Sequence, residues 1–360
     1  MSASQEKLRF GICGLGFMGR TYFHHLCNHP RASVVAVCDR DPQLRAGDWA
    51  QATGNIGPRA GQRVDLGGAT AYSDPQELIG DPDVDVVAVT LPTPLHAPVT
   101  EQALAAGRHV LCEKPMARDL EGCDRMIWAA EQAGRTLMIA QCVRFWPQYE
   151  AIKRLVDEGR LGPLRFAKLK RVTSPPLYSS QNWLMDGRQS GGALLDLHVH
   201  DTDFAHHLLG MPESIFARGT RGPSGEIDHV LATYSYADGR YALIEGGWAH
   251  HHAPWPFEMA ISVFGERGAA QWSSQRGPEV LLYAGADEVQ RIDCADEAGW
   301  MHELDYFIDR VVAGQPVERC LPASSRTSVA LALLEKQAIE SGGAVRVSPT
   351  ATDCSDASRR

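Results

Sequence analysis

The sequence predicts an α/β + α+β chain. A doubly wound parallel sheet comes first, and an α/β domain with a large, mostly antiparallel open sheet follows. Three observations predict it. Residues 8–140 alternate short apolar runs with helical stretches, which is the rhythm of a parallel sheet. A glycine-rich turn joins the first run to the first helix. Beyond residue 228, strand-like runs succeed one another without helices between them. At 360 residues, about two domains are expected. Their boundaries are drawn at 1–141 and 142–347, with a polar tail over 348–360.

The elements follow in order. Residues 8–13 (LRFGIC) read as a buried strand, and GLGFMG follows at once, with Gly14, Gly16 and Gly19 in GxGxxG spacing around Phe17 and Met18. Residues 20–27 have helical character, and 33–39 (SVVAVCD) form the next strand. Asp39 lies 20 residues past Gly19, where a Rossmann dinucleotide fold places the acid that grips the adenosine ribose. Gly14 makes the tight turn, Gly16 lets backbone approach a pyrophosphate, and Gly19 lets helix and strand pack closely. The helix N-terminus then faces the negative charge. A carboxylate at 39 repels a 2′-phosphate, so NAD is expected; Arg40 beside it leaves NADP or dual use open.

Residues 51–70 show no period and read as a surface loop. Asp74-Pro75-Gln76-Glu77 carries a helix start. Strands are expected over 84–90, 109–112 and 136–140, and helices over 99–106 and 120–133, stopped by Gly107 and Gly134. Ligands in such sheets lie at the carboxyl ends of strands. Asp39, the turn of Leu91 and Thr93 with His96 beyond it, Glu113, Lys114 and Gln141 all fall there, and together they make the expected cofactor rim. Pro115 fixes the backbone after Lys114, with its peptide isomer left open.

In the second half, a helix is expected over 147–158, a strand over 164–172 and an irregular loop over 175–183. Then comes GGALLDLHVHDTD (Gly191 to Asp203). Asp196 and His200 stand four apart, which stacks them on one face of a helix. A carboxylate orienting an imidazole suits proton transfer near neutral pH. Asp203 and His207 continue that stripe, and the two glycines let the backbone approach something closely. Strands over 229–236, 240–248, 257–264, 269–272 and 280–283 make the second sheet, and helices over 301–312 and 325–341 close the chain. One face of that sheet would be large and uncovered on a single copy, so a dimer or tetramer through it is expected.

VLCEKPMA (Val110 to Ala117), GLGFMG and GGALLDLHVHDTD together resemble the glucose–fructose oxidoreductase / inositol dehydrogenase (Gfo/Idh/MocA) family. The resemblance spans roughly residues 8 to 347. It implies a catalytic set of Lys114, Asp196 and His200, and hydride transfer between nicotinamide C4 and a secondary alcohol or ketone of a sugar, cyclitol or related polyol. In that reading His200 is the principal base or acid, Lys114 polarises the reacting oxygen and shares the proton, and Asp196 orients His200 or holds a neighbouring hydroxyl. Arg144, Tyr178 and Trp183 are weaker candidates for a substrate wall. Leu184 and Val143 replace arginines frequent in relatives, which argues against an inositol. An NAD-dependent glycosidase using transient oxidation and a non-catalytic dinucleotide sensor remain as alternatives.

Composition excludes other classes. Lys and Arg number 35 against 44 Asp and Glu, a net charge of −9. That argues against nucleic acid or an anionic membrane as partner. Nine cysteines without CxxC spacing suggest reduced thiols in a cytoplasm. No signal peptide or membrane-spanning run is read. His250-His251-His252 point different ways as neighbours in sequence, so no metal is expected there.

Overall fold

A computed structural model describes residues 7–49, 63–248, 255–285 and 288–348. The triplet His250 to His252, most of the loop over 51–70 and nearly all of the polar tail lie outside the described residues.

The chain divides into two compact units. The first comprises residues 1–140, 177–183 and 303–325. Its strands are β1 (Leu8–Cys13), β2 (Ala32–Cys38), β3 (Thr70–Tyr72), β4 (Val86–Val89), β5 (His109–Glu113) and β6 (Leu137–Ala140). They form one sheet in the order β3-β2-β1-β4-β5-β6, and every pairing is parallel. β4 and β6 are buried along their whole length, which is why they read as unbroken apolar runs. Helices α1 (Phe17–Asn28), α2 (Pro42–Arg45), α3 (Pro75–Gly80), α4 (His96–Ala105) and α5 (Leu120–Ala133) connect them. The Asp74 cap is real: its carboxylate accepts the Gln76 N–H, with Pro75 at the first helical position. Gly134 ends α5 in the left-handed region at φ 58°. The helix expected from Val99 starts earlier, at His96, behind a short 3₁₀ turn over Thr93–Leu95.

The second unit comprises residues 141–176, 184–302 and 326–360. It opens with a 3₁₀ turn (Cys142–Phe145) and α6 (Pro147–Asp157), followed by β7 (Leu164–Val172) and α7 (Gly187–Ser190). The stretch expected as plain helix from Gly191 is a π-turn over Leu194–His198 that runs into α8 (Val199–Leu209). Then come β8 (Ser214–Arg221), β9 (Ile227–Ser235), β10 (Tyr241–Gly247), β11 (Glu258–Gly265), β12 (Gly268–Ser273), β13 (Val280–Ala284) and β14 (Gln290–Ile292). α9 (Gly299–Val312), α10 (Pro322–Ser341) and β15 (Val345–Arg346) end the described chain.

The nine strands lie in the order β14-β13-β12-β11-β7-β10-β9-β8-β15. All pairs are antiparallel except β10 with β7. β8, which the sequence reading passed over, has an inward face of Ile215 and Ala217 only; four consecutive exposed residues over 218–221 hide the period. In β9, Val230, Ala232 and Tyr234 face the core while Leu231 is exposed, the alternation of a half-covered sheet. On the outer face Phe166 stacks between Tyr241 and Phe264, with centroids 5.2 and 4.2 Å away.

Candidate functional site

The glycine turn has the shape its spacing predicts. Gly14 takes φ 99°, and a Cβ there would lie 2.6 Å from the Thr90 carbonyl oxygen. A Cβ on Gly19 would come within 1.8 Å of the Gly14 carbonyl oxygen, so α1 packs against the turn only because position 19 is bare. A Cβ on Gly16 would meet nothing within 4 Å: the surface above the turn is open. Gly16 also caps α1 without a side chain, leaving first-turn N–H groups for an anion. Asp39 stands at the end of β2 and accepts the Leu15 N–H at 2.8 Å and the Asp41 N–H at 2.9 Å. An ionised carboxylate keeps further lone pairs after two such bonds. Phe17 and Met18 begin α1.

The residues therefore fit a dinucleotide. Open space over Gly16, the uncapped helix start and the Asp39 carboxylate are the three features that suit one. The Thr93 hydroxyl is buried with no hydrogen-bond partner among the described residues, an orphan that a bound molecule could satisfy. Arg20 was missed in the sequence although it directly follows Gly19. It is half-buried on the same turn, its Nε donates to the Gly16 carbonyl at 3.0 Å, and burial lowers its pKa. Arg40, the cofactor candidate beside Asp39, donates to the Gln181 side chain. Gln181 and Asn182 both hold positive φ, 52° and 55°, in a loop counted with the first unit. Tyr178 of that loop meets the Phe17 ring edge-on at 6.1 Å, which puts it against the glycine turn. Trp183, half-buried, closes the loop.

Lys114 follows β5, partly exposed, and the Lys114–Pro115 peptide is cis. The Glu113 carboxylate turns inward rather than to the rim. It accepts the Tyr22 hydroxyl at 2.8 Å and the Lys114 N–H at 3.2 Å, and buried Glu303 lies 3.4 Å from the same hydroxyl. His96 is buried too, with one ring nitrogen 2.8 Å from the Pro115 carbonyl and the other 2.8 Å from the Leu91 carbonyl. Glu113 and His96, both expected on the cofactor rim, thus spend polar atoms on the backbone around Lys114 and Leu91.

In the second unit, Asp196 sits on the π-turn and His200 in the first turn of α8, each partly exposed. π-turns widen a helix by one residue and recur at functional sites. The two glycines approach different things: a Cβ on Gly192 would lie 2.8 Å from the Ile227 carbonyl at the start of β9, and one on Gly191 would lie 2.8 Å from the Leu195 Cβ. Around these residues lies a layer of buried charge that sequence reasoning did not find. Arg144 forks onto Asp203 through two 2.7 Å bonds, and Ser328 donates to Asp203 at 2.7 Å. Arg144 is thus fixed against Asp203, and Asp203 leaves the polar stripe for the core. Arg171 holds Asp201 at 2.7 Å; burial alone would lower the Arg171 pKa, yet Asp201 raises it. His198 lies 3.0 Å from Glu335, both fully buried. Burial opposes the charge on His198, but the Glu335 carboxylate outweighs it and raises the pKa. Glu335 also accepts Tyr234 and Thr202 hydroxyls at 2.6 and 3.2 Å. Gln141 is buried where the second unit begins. Among the described residues no cluster of His, Cys, Asp or Glu is arranged to hold a metal ion, and no helix is long and apolar enough to cross a membrane.

Comparison with known proteins adds the following. Residues 8–141 match the model of an oxidoreductase family with an NAD-binding Rossmann fold, and residues 149–271 match a GFO/IDH/MocA C-terminal domain. The chain is 29% identical over 345 residues to the myo-inositol 2-dehydrogenase of Thermotoga maritima, covering 91% of this chain and 93% of that protein. It is 34% identical over 236 residues to the trans-1,2-dihydrobenzene-1,2-diol dehydrogenase of Macaca fascicularis, covering 64% and 65%. A levoglucosan dehydrogenase solved with NADH and L-sorbose superposes with a TM-score of 0.82 at 20% identity, covering 95% of this chain and 99% of that one; that likeness shows the shared fold.

Proposed function

The chain belongs to the Gfo/Idh/MocA family of NAD-dependent oxidoreductases, and from that premise we propose that it oxidises a secondary alcohol of a sugar, cyclitol or other cyclic diol, or reduces the matching ketone. The observation that carries this reading is the fitted glycine turn, with Asp39 and Lys114 at carboxyl ends of the same parallel sheet. The two dehydrogenase relatives act, by their names, on an inositol and on a cyclic diol, which supports a ring bearing vicinal hydroxyls.

When bound, NAD supplies the hydride acceptor. Gly14, Gly16, Gly19 and Asp39 would hold it, with Thr93 and Arg20 beside them. The protein's own groups move the proton. His200 takes the hydroxyl proton as the C–H bond breaks. The Lys114 ammonium steadies the oxygen as negative charge develops. Asp196 orients His200 or a neighbouring hydroxyl. The outer sheet face is the surface for a second copy. The described cysteines are all free thiols, which supports a reducing compartment such as the cytoplasm.

The test is a panel of sugars, cyclitols, cyclic diols and their keto forms with NAD(H) and NADP(H), followed at the absorbance of reduced nicotinamide. Turnover is expected with NAD(H) on at least one member, and Lys114→Met should abolish it while NADH still binds. Full turnover by Lys114→Met would end the role given to Lys114. Consumption of a glycoside without net NADH would favour transient-oxidation chemistry instead.

A further inference from the structure

His96 is buried and reaches two carbonyl oxygens, each 2.8 Å from a different ring nitrogen. One belongs to Pro115, the residue after Lys114. The other belongs to Leu91, in the turn that follows β4. The ring therefore spans the ends of two adjacent parallel strands, β4 and β5. A neutral imidazole donates to one of these oxygens, and a protonated one donates to both. With a backbone carbonyl oxygen 2.8 Å from each ring nitrogen, both nitrogens face backbone in either protonation state.

From the other side, Glu113 accepts the Lys114 N–H and is itself held by Tyr22. The Lys114 main chain is thus gripped on its N-terminal side by a carboxylate and on its C-terminal side by an imidazole. A lysine side chain has four rotatable bonds and loses rotamer freedom when fixed. The ammonium can be placed within the few tenths of an ångström that catalysis needs only if its root does not move.

We propose that His96 is a positioning residue for Lys114, acting through the Pro115 and Leu91 carbonyls, and not a cofactor ligand. The proposal rests on the part given to Lys114 above, but its test needs no substrate. The chain has six lysines, so reductive methylation with ¹³C-formaldehyde gives a short set of dimethyl-lysine NMR signals. The Lys114 signal is assigned by its loss in Lys114→Met. Spectra of wild type, His96→Ala and His96→Gln are recorded with and without NADH, and NADH affinity is read from nicotinamide fluorescence.

His96→Ala should move the Lys114 signal by more than its linewidth, while NADH affinity stays within about threefold. His96→Gln, whose amide can donate to one carbonyl, should move the signal part of the way back. If His96→Ala does not fold, the displaced signal of His96→Gln alone carries the result. An unmoved Lys114 signal in the folded variants overturns the proposal. So does a tenfold loss of NADH affinity with that signal in place, which would make His96 a cofactor ligand. A Lys114→Met enzyme that still turns over would defeat the catalytic assignment and leave the displacement of the signal to be read separately.

Discussion

In the proposed reading, Asp39 does two jobs with one carboxylate. It ties down the Leu15 and Asp41 amides, and it presents charge where a ribose diol or a 2′-phosphate would lie. Asp39→Ala should therefore raise the NAD dissociation constant about tenfold or more, which is at least about 1.4 kcal/mol. It should raise that for NADP much less, because the repulsion goes with the carboxylate. Titration of both cofactors by fluorescence measures this; equal losses for the two would mean that Asp39 does not discriminate. This residue was legible because its distance from Gly19 is fixed by local geometry, one helix and one strand. Arg144 was not. Nothing near it in the chain announces Asp203, and its buried fork exists only because the fold brings α8 and the turn before α6 together.

At the scale of an element, the π-turn is held by distant parts. His198 reaches inward because Gly246 has no side chain; a Cβ there would lie 2.4 Å from the His198 Nδ1. Its partner Glu335 comes from α10. A π-turn of five residues adds a single residue to a helix, and nothing in the composition of LLDLHVHD announces that insertion. His198 binds its proton more tightly folded than unfolded, since its pKa is raised. Its stabilising part is then complete below the unfolded value of about 6.5 and fades as pH rises through the raised folded value. As pH rises above about 6.5, the melting temperature of the wild type should fall more steeply than that of Glu335→Gln, which lacks the charge that raises His198. Parallel slopes in thermal melts would show that the pair takes up no extra proton on folding.

At the scale of the molecule, both sheets were legible in kind and the second was not legible in extent. The parallel sheet follows from alternation that repeats every few tens of residues. β3, β14 and β15 have three, three and two residues, too few to show a period, so neighbours rather than pattern define them. The outer face of the nine-stranded sheet carries Phe166, Tyr241 and Phe264 in one stack. Leu231 and Tyr283, exposed like Tyr241, belong to strands of the same sheet. A second copy packed there would remove this apolar surface from water. Phe166→Glu should then shift light-scattering mass toward the single chain. A single-chain mass already in the wild type would dismiss the face as a self-contact.

The central place of β7 in that sheet sets a timetable for synthesis. β7 lies between β10 and β11, both made long after it. On the ribosome β7 emerges early and has no neighbour on either edge until Tyr241–Gly247 and Glu258–Gly265 follow. Through that interval its unpaired backbone is open to any passing strand. The nascent chain is then most exposed to mispairing while the middle of its second sheet waits for partners, and a holdase chaperone would matter most in that window.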